Sequence, residues 1–553
     1  LEYEELVLNE DVEQSKIKFP EDCQIGLLGN MEQSVYLPTK SNSIRSLVSH
    51  KLPRALTEPT ILSSNDPRYS YQPSSPLLDG ILKHGNIPGG LNSLYVKEVT
   101  RFMGEFYRTF RAPRIMNGPL TVEEAICGFE HLPYYQTIPM ETSSGWPWMN
   151  KNKDKSKRPW IELKRNESMY AIEAKLHPQL VEAMEFKNRL RLKGVIPATI
   201  FCDMLKDERK EKEKVRKQGG TRIFCSSPLD FTIQSRQYML DFYAALSTER
   251  LKSMVAIGIA VDGPQWGELA RYLQQVGNNM FSFDYKDFGP SYSSEAVDCI
   301  RKTIGTWAKE NGWNDDAIQV INVLMMEMMH SKHLAINVVY EQYCGSPSGS
   351  SVTAPQNSLV NIFFLMYAWI GLTKEKLSVF IDETRVTTYG DDGVISVSDA
   401  YRDIYNAETV IAFLLKSGIR VTAADKTDIV EPYTTLDQIT FLKRKFVPHP
   451  YRVGQYLAPL PQLSIEEAAK WIHKGEDKTL ATLENCEQSI RMAYGSGSEY
   501  FNEWKGKVNT ALRNCGLKTF DLTWEELDIN FFGDIPPRKL NLKFERGVSY
   551  TLC

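Results

Sequence analysis

The sequence predicts an α+β protein with more than one domain. Its 553 residues are several times the usual domain size, so one compact core is not expected. The composition is ordinary for a globular protein, with 42% hydrophobic and 24% charged residues. Short apolar stretches bounded by turn residues predict strands in the first 450 residues, among predicted helices. Helical patterns dominate beyond them.

Charge and cysteine content narrow the functional classes. The net charge is −4 and the pI is near 6.2, so any nucleic-acid-binding surface must be local. The nine cysteines are scattered without a Cys-x-x-Cys pattern, which argues against a zinc module and fits a reducing compartment. His330 and His333 could share a helix face, but no third ligand is nearby in sequence, so we interpret this segment as a packed or solvated helix.

No signal peptide or membrane span is predicted. The longest apolar run, 359–372, is too short to cross a bilayer and contains Asn361, so it predicts a buried helix. The chain begins at Leu1 instead of Met. This start is compatible with an engineered terminus or with cleavage from a longer precursor.

The strongest local signal is the stretch 387–396, Thr-Thr-Tyr-Gly-Asp-Asp-Gly-Val-Ile-Ser. Apolar and β-branched residues flank Gly390, Asp391 and Asp392, a pattern that predicts strand, tight turn and strand. Taken alone, this pattern also fits a solvated hairpin turn.

A second carboxylate, Asp284, ends the apolar strand predicted within 281–290. An aspartate there is either a turn residue that caps the following helix or a catalytic group at a strand end. Carboxylates from separate strands are what paired divalent cations require in phosphoryl transfer, and Mg²⁺ prefers such hard oxygen ligands.

Basic residues concentrate in the segment 206–222, which holds eight Lys or Arg against four Asp or Glu. Such a run is usually a solvated face. Here it breaks at Gly219-Gly220 and resumes as a strand, which predicts a basic hairpin suited to phosphates. A later segment, 441–446, predicts a strand with a second basic face.

Two loops complete the pattern. Segment 142–148 combines small hydroxyls, Gly145 and two indoles, which predicts either a packed aromatic turn or a loop that a ligand backbone approaches closely. Segment 345–357 is a Gly/Ser loop before a helix, where backbone N–H groups can bind a ligand unless the loop is only a linker. Asn357 and Asn361 share one face of that helix.

In this order, the segments resemble a viral RNA-dependent RNA polymerase of the picornavirus-like group, with an insect picorna-like virus as a candidate source. Seven segments follow the family's order, with Tyr-Gly-Asp-Asp as its hallmark. They are 142–148, 206–222, 283–290, 348–357, 389–392, 424–426 and 441–446.

The resemblance implies a role for each matched residue. The catalytic residues would be Asp284, Asp391, Asp392 and Lys426. The three aspartates would hold Mg²⁺, with Mn²⁺ as a substitute, and Lys426 would donate a proton. The nucleotide-binding residues would be Lys206, Lys214, Arg222, Asp287, Ser348, Thr353 and Asn357. The RNA-binding residues would be Thr142, Ser143, Gly145, Lys443 and Arg444.

The sequence departs from the family at one catalytic segment. Family members carry a second aspartate five residues after the first, whereas this chain has Gly289 there and an acid, Asp287, at plus three. The segment Ser-Gly, followed eight residues after the glycine by Asn357, is closer to the calicivirus and flavivirus version. We therefore expect Ser348, Thr353 and Asn357 to sense the ribose, with Asp287 as an alternative.

The resemblance also implies a right-hand architecture with fingers, a palm of antiparallel sheet plus helices, and a helical thumb. The expected ranges are fingers 1–238, with the N-terminal fingertip region, and 292–343, palm 239–291 and 344–450, and thumb 451–553. Expected partners are RNA template and primer, nucleoside triphosphates, a genome-linked protein primer and other viral replication proteins. The expected location is host cytoplasm, at membrane-bound replication complexes. A reverse transcriptase and a non-catalytic RNA-binding scaffold are the alternatives.

Overall fold

The chain forms two compact units in a computed structural model that describes residues 2–115, 117–424, 429–475 and 477–533. Unit 1 consists of Leu1–Ser41, Pro59–Gly258 and Leu273–Thr435. Unit 2 consists of Asn42–Glu58, Ile259–Tyr272 and the chain from Leu436 onward. Each unit has a hydrophobic core of its own.

The helices of the described residues lie mainly in unit 1 until α14, and in unit 2 thereafter. They are α1 (Pro76–Ile81), α2 (Ser93–Tyr107), α3 (Val122–Cys127), α4 (Pro178–Leu192), α5 (Lys212–Arg216), α6 (Leu229–Thr248), α7 (Arg250–Ser253), α8 (Pro264–Leu273), α9 (Phe288–Ser291), α10 (Ser294–Glu310), α11 (Asp315–Met329), α12 (Thr353–Thr373), α13 (Leu377–Glu383), α14 (Ala407–Lys416), α15 (Gln462–Ala468), α16 (Lys478–Met492), α17 (Ser498–Asn514) and α18 (Trp524–Phe532).

The strands of the described residues are short. They are β1 (Glu2–Tyr3), β2 (Gly26–Asn30), β3 (Ser43–Arg45), β4 (Thr57–Pro59), β5 (Ile161–Arg165), β6 (Ala171–Leu176), β7 (Val195–Ile196), β8 (Ile200–Leu205), β9 (Arg209–Glu211), β10 (Ile223–Ser226), β11 (Asn279–Phe281), β12 (Phe283–Tyr285), β13 (Lys332–Ala335), β14 (Val338–Glu341), β15 (Thr384–Tyr389), β16 (Asp392–Val397), β17 (Val421–Ala423), β18 (Val447–Pro448), β19 (Tyr456–Leu457) and β20 (Trp471–His473).

Helix α12 is the central element of unit 1. It is apolar on all sides, and its residues from Ser358 to Trp369 are buried. A helix without a polar face must be surrounded by protein, and α12 packs against α2, α10 and α14. The predicted buried helix is confirmed. Among the described residues, none of the helices combines the length and apolar character needed to cross a bilayer.

Two small sheets in unit 1 carry the aspartates. In the first, β16 pairs antiparallel with both β11 and β15. In the second, β12 pairs antiparallel with β17, so that Asp284 lies opposite Thr422. The predicted antiparallel arrangement around the Asp-Asp stretch is thus present in the described residues.

A mixed sheet in unit 1 has the strand order β10-β8-β13-β14-β2. Several buried polar residues of this sheet form one hydrogen-bonded network. His333 Nδ1 donates to Asp203 Oδ1 at 2.8 Å, and His333 Nε2 lies 2.7 Å from Ser331 Oγ. Tyr340 donates to the other oxygen of Asp203. Because every member has a partner, the network fixes the register of this sheet without leaving a buried charge alone.

Unit 2 is built on helices α15 to α18, which surround a core that includes Trp504 and Trp524. The strand β20 pairs with β3 from the N-terminal part of the unit, so that Trp471 lies opposite Arg45. The predicted helical texture beyond residue 450 is confirmed.

Two local predictions are wrong. The segment 441–446 is a tight turn in place of a strand, because Leu442 and Lys443 have φ of 54° and 61°. His333 lies on β13, so it shares no helix face with His330.

Candidate active site

The Asp-Asp pair lies at a tight hairpin turn. Tyr389 of β15 pairs with Asp392 of β16, so Gly390 and Asp391 form a two-residue loop. Gly390 has a φ of 63°, and a glycine at the first central position is what a type II′ hairpin turn requires. Asp391 is exposed at the tip, whereas Asp392 is half-buried at the start of β16.

Helix α12 holds this turn through two polar side chains. The backbone N–H of Gly390 donates to Ser358 Oγ at 2.8 Å. The amide nitrogen of Asn361 donates to the carbonyl oxygens of Gly390, at 3.3 Å, and Asp392, at 3.4 Å. Since α12 is buried, these bonds fix the backbone on both sides of Asp391.

The same asparagine connects the turn to the strand that carries Asp284. The hydroxyl of Tyr285, the next residue of β12, donates to Asn361 Oδ1 at 3.0 Å. Burial raises the pKa of Tyr285 well above its usual range, and the charges of Tyr405 and Asp391 add to this effect. The chain segments of Asp284 and Asp391 therefore converge on one side chain of α12.

The donor set fits a hard divalent cation. Asp284, Asp391 and Asp392 supply only carboxylate oxygens, which Mg²⁺ and Mn²⁺ prefer. Asp391 is exposed and Asp284 is half-buried, so their carboxylates lie near the surface of unit 1.

A second group of metal-ligand types in the described residues consists of Asp203, Cys225 and His333. It is a poor fit for Mg²⁺. It is fully buried, it includes a thiol, and both ring nitrogens of His333 have hydrogen-bonding partners. Burial also raises the pKa of the Cys225 thiol well above its usual value, which disfavours the thiolate form that binds metals. We interpret this cluster as part of the sheet network.

Lys426 lies outside the described residues. The strand that leads towards it, β17, pairs with β12 so that Ala423 lies opposite Phe283.

The basic segment forms a closed loop whose cations surround one carboxylate. Its ends meet where Lys206 N donates to the carbonyl of Arg222 at 2.9 Å. Glu208 accepts from Arg222 Nε at 2.8 Å, and Lys210 Nζ and Lys206 Nζ lie 3.2 Å and 3.9 Å from its oxygens. Burial alone would raise the pKa of Glu208, but the bond and charge of Arg222, with the two lysines, lower it. Lys206 and Arg222 are therefore neighbours.

Sequence reasoning missed Lys210, which belongs to this cluster, because every lysine of a basic run looks alike in sequence. Predicted Lys214 lies on α5, where its ammonium is 2.6 Å from Glu211 of the preceding turn. More than half of its side chain is exposed. Its ion pair is thus with Glu211, and its role in nucleotide binding stays a prediction.

The Gly/Ser loop rests on β10. Cys225 N donates to Ser348 Oγ at 3.3 Å, and Thr353 Oγ1 donates to the carbonyl of Ser350 at 2.8 Å. Asn357 Oδ1 accepts from the hydroxyl of Tyr292 at 3.2 Å. Tyr292 was not singled out from the sequence, because its hydroxyl reaches the site only through the fold.

The loop 142–148 is a packed aromatic turn with an exposed beginning. Thr142 is exposed, and buried Lys157 donates to its side chain and, at 3.1 Å, to the carbonyl of Ser143. Gly145 has a φ of 69° and packs so closely that a Cβ would lie 2.2 Å from the carbonyl oxygen of Ser227. Gly145 is therefore committed to protein packing, and Thr142 and Ser143 remain accessible.

The two residues of unit 2 that are predicted to contact RNA, Lys443 and Arg444, differ in their exposure to solvent. Lys443 lies at the exposed turn, whereas Arg444 is 9% exposed. The guanidinium of Arg444 donates to the carbonyl of Ala458 at 2.6 Å and lies 3.9 Å from Asp262. Arg444 therefore has at least one N–H group bonded inside unit 2, and its contact with RNA phosphates stays a prediction.

Comparison with known proteins agrees with this geometry. The profile of the family described as viral RNA-dependent RNA polymerase matches residues 49–507. The chain is 32% identical over 520 residues to the genome polyprotein of Deformed wing virus, covering 92% of the chain and 18% of that polyprotein. It is 27% identical over 522 residues to the replicase polyprotein of Acute bee paralysis virus, covering 90% and 26%. The chain thus spans about a fifth of the length of these relatives.

A solved structure, the Sicinivirus 3Dpol RNA dependent RNA polymerase, superimposes with a TM-score of 0.77 over 92% of this chain and 98% of that chain. The sequence identity is 18%, so this match shows the fold. The expected right-hand polymerase fold and the expected resemblance to picornavirus-like polymerases are confirmed. The chain belongs to the viral RNA-dependent RNA polymerase family.

Proposed function

We propose that this chain synthesises RNA on an RNA template and so replicates a positive-strand viral genome. The observation that carries the proposal is the position of Asn361, which binds Tyr285 beside Asp284 and also the backbone around Asp391. Carboxylates from two separate strands held near one another are suited to nucleotidyl transfer.

In the proposed reaction, the primer 3′-hydroxyl attacks the α-phosphorus of the incoming nucleotide, and pyrophosphate leaves. Asp284 and Asp391 would hold the divalent cations, with Asp392 as a weaker partner. When bound, Mg²⁺ lowers the pKa of the 3′-hydroxyl and neutralises charge on the triphosphate.

The remaining residues bind the triphosphate, donate a proton or contact the RNA. Lys206 and Arg222 attract the triphosphate, since the cations around Glu208 outnumber that one carboxylate. Lys426 donates a proton to the departing pyrophosphate. Thr142, Ser143 and Lys443 contact the RNA backbone. Such contacts position the RNA without reading its sequence.

We assign fingers to 1–238 and 292–343, palm to 239–291 and 344–450, and thumb to 451–553. The relatives are polyproteins, so we also propose that the chain works with other viral replication proteins and with a genome-linked protein primer. We place this work in the host cytoplasm, at replication complexes on membranes.

Primer extension on an RNA template tests the function. NTPs and dNTPs are supplied separately, each with Mg²⁺, with Mn²⁺ or with a chelator. We expect extension with NTPs that requires the metal. Extension with dNTPs would indicate a reverse transcriptase. Binding of the primer–template without extension under any condition would indicate an RNA-binding scaffold.

A further inference from the structure

Lys157 is a buried cation bound to the exposed beginning of the loop 142–148. It is 5% exposed, and its ammonium donates to the carbonyl of Ser143 at 3.1 Å, to the carbonyl of Thr142 at 3.4 Å and to the Thr142 hydroxyl. All of these acceptors are neutral. They satisfy the N–H groups of Lys157 without balancing its charge.

A second buried cation, Arg236 of α6, acts on Lys157 electrostatically. Arg236 is 9% exposed, and its guanidinium donates to the carbonyl of Ala125 at 2.6 Å and to the carbonyl of Gln136. Burial lowers the pKa of Arg236 to about 10, and no acid among the described residues opposes this effect. Two like charges are therefore buried near each other, and both are bonded to neutral acceptors.

The charged groups around Lys157 leave it without a matched counter-ion. Burial and, to a smaller extent, repulsion from Arg236 lower the pKa of Lys157 to about 8, against the attraction of Glu141. Glu141 is exposed, and its carboxylate already pairs with Arg158 at 3.0 Å. A buried cation is costly unless an anion offsets its charge. The side from which an anion can approach is the accessible part of the loop, Thr142 and Ser143.

We propose that Lys157 is the positioning residue of the loop 142–148 and that its buried charge attracts a phosphate of the RNA backbone to Thr142 and Ser143. The ammonium fixes both carbonyls, so this part of the loop meets the RNA in one conformation. Its charge acts over a short distance through protein, where it is screened less than a charge on the surface. This inference rests on the RNA contacts in the proposed function.

A phosphate bound beside Lys157 raises the pKa of that lysine, since negative charge favours the protonated ammonium. At about pH 7 the ammonium is protonated with and without RNA, so this group gives the affinity little pH dependence. Above about pH 8 the free protein loses the proton, so RNA binding takes a proton up. The affinity then falls as the pH rises, by up to about tenfold per pH unit for one proton. Arg236, with a pKa of about 10, stays largely charged in this range.

Calorimetry of RNA binding to the full chain measures the proton uptake directly. The ligand is a short oligoadenylate, whose bases do not titrate in the alkaline range. Binding is measured in two buffers that differ in ionisation enthalpy, at about pH 7 and at about pH 8.5. We expect little uptake at the lower pH, uptake of a large part of one proton at the higher pH, and weaker binding there.

Three variants identify the group that takes up the proton. Lys157→Met should weaken binding at about pH 7 by about fivefold or more, because it removes a cation near the phosphate, and should abolish the uptake at about pH 8.5. Lys157→Arg keeps the charge at both pH values, so it should bind without uptake and with a nearly level affinity. Lys153→Met, which changes an exposed lysine of the same segment, is the matched control and should keep the uptake.

A merely structural role of Lys157 predicts weaker binding of Lys157→Met at both pH values with the uptake retained, and that result would overturn the proposal. Absence of uptake in the unsubstituted protein, or absence of RNA binding, would overturn it as well. Thermal unfolding shows whether Lys157→Met is folded. If it is not, the uptake by the unsubstituted protein and its loss in Lys157→Arg decide. If the unsubstituted protein binds RNA with uptake but extends no primer, the proposed polymerase function fails and the role of Lys157 stands.

Discussion

The hydroxyl of Tyr285 donates a hydrogen bond of 3.0 Å to Asn361 Oδ1, although 76 positions separate them in the chain. The amide nitrogen of Asn361 binds the Gly390 carbonyl at 3.3 Å. Asn361 is 3% exposed, so each of these groups would be left buried and unpaired without it. The relative position of the two aspartate segments thus depends on one buried side chain of α12.

We expect Asn361→Leu to lower the rate of nucleotide incorporation by about ten- to a hundredfold, because the unpaired groups would shift the turn at a cost of about 1–3 kcal/mol. The concentration of Mg²⁺ at half-maximal rate should rise, and the primer–template Kd should stay nearly unchanged. A metal titration under single-turnover conditions measures both.

Tyr285→Phe and Ser358→Ala are the graded controls. Each removes one hydrogen bond of the set, so each should cause a smaller loss with the same rise in metal requirement. A loss of rate at unchanged metal requirement would show that Asn361 only stabilises the fold.

Local patterns were sufficient to predict the aspartate turn and α12. Gly390 with its flanking β-branched residues specifies a hairpin, and the unbroken apolar run around Asn361 specifies a buried helix. Both signals lie within a few consecutive residues, which is the range over which backbone preferences act.

Contacts between residues far apart in the chain could not be predicted from the sequence. The ion pair of Lys83 with Asp287 joins residues 204 positions apart, and no local periodicity in the sequence encodes such a contact. The tight turn at Lys443 was missed because a non-glycine residue with positive φ has no sequence signal there. The burial of Arg444 was missed for the same reason, because the turn changes which residues face the core.

Asp391→Ala should abolish primer extension while leaving primer–template binding nearly intact, because the carboxylate is exposed at the turn and stabilises little of the fold. Extension assays and a binding titration measure the two properties. Asp382→Asn, a change at an exposed aspartate of α13, is the matched control and should extend normally. Full-rate extension by Asp391→Ala would refute the assignment of this residue.

Lys426→Ala should slow incorporation about a hundredfold, since a general acid typically contributes that much or more. Substrate binding should change little. Single-turnover rates measure the effect, with Lys416→Ala, an exposed lysine of α14, as the control. An unchanged rate in Lys426→Ala would count against proton donation by this lysine.

Asn357→Ala should weaken the preference for NTP over dNTP about five- to tenfold, the equivalent of roughly 1 kcal/mol for one hydrogen bond. Tyr292→Phe should act in the same direction more weakly, because it removes the donor that orients Asn357 Oδ1. The ratio of incorporation efficiencies for the two nucleotides measures this preference. An unchanged ratio in both variants would shift ribose recognition to Asp287 or Ser348.

Glu467 should make the stability of unit 2 sensitive to acid. Its carboxylate is 4% exposed and accepts from the backbone N–H groups of Leu56 and Thr57 at 3.0 Å, from the Thr57 hydroxyl, and from Lys470 Nζ at 3.0 Å. Burial alone would raise the pKa of Glu467, but these bonds and the charge of Lys470 outweigh it and lower the pKa to about 2.

A pKa below the unfolded value of 4.5 means that the unfolded chain binds the proton more readily than the folded one. The stabilisation is therefore complete above about pH 5 and is lost as the pH falls towards 2, with a total on the order of 2–3 kcal/mol. Glu467→Gln should lower the free energy of unfolding at pH 7 and flatten its decline between pH 5 and pH 3, as denaturant unfolding measures. Glu466→Gln, at the neighbouring position, should keep the decline of the unsubstituted protein. Equal acid sensitivity in Glu467→Gln and the unsubstituted protein would show that other carboxylates control it.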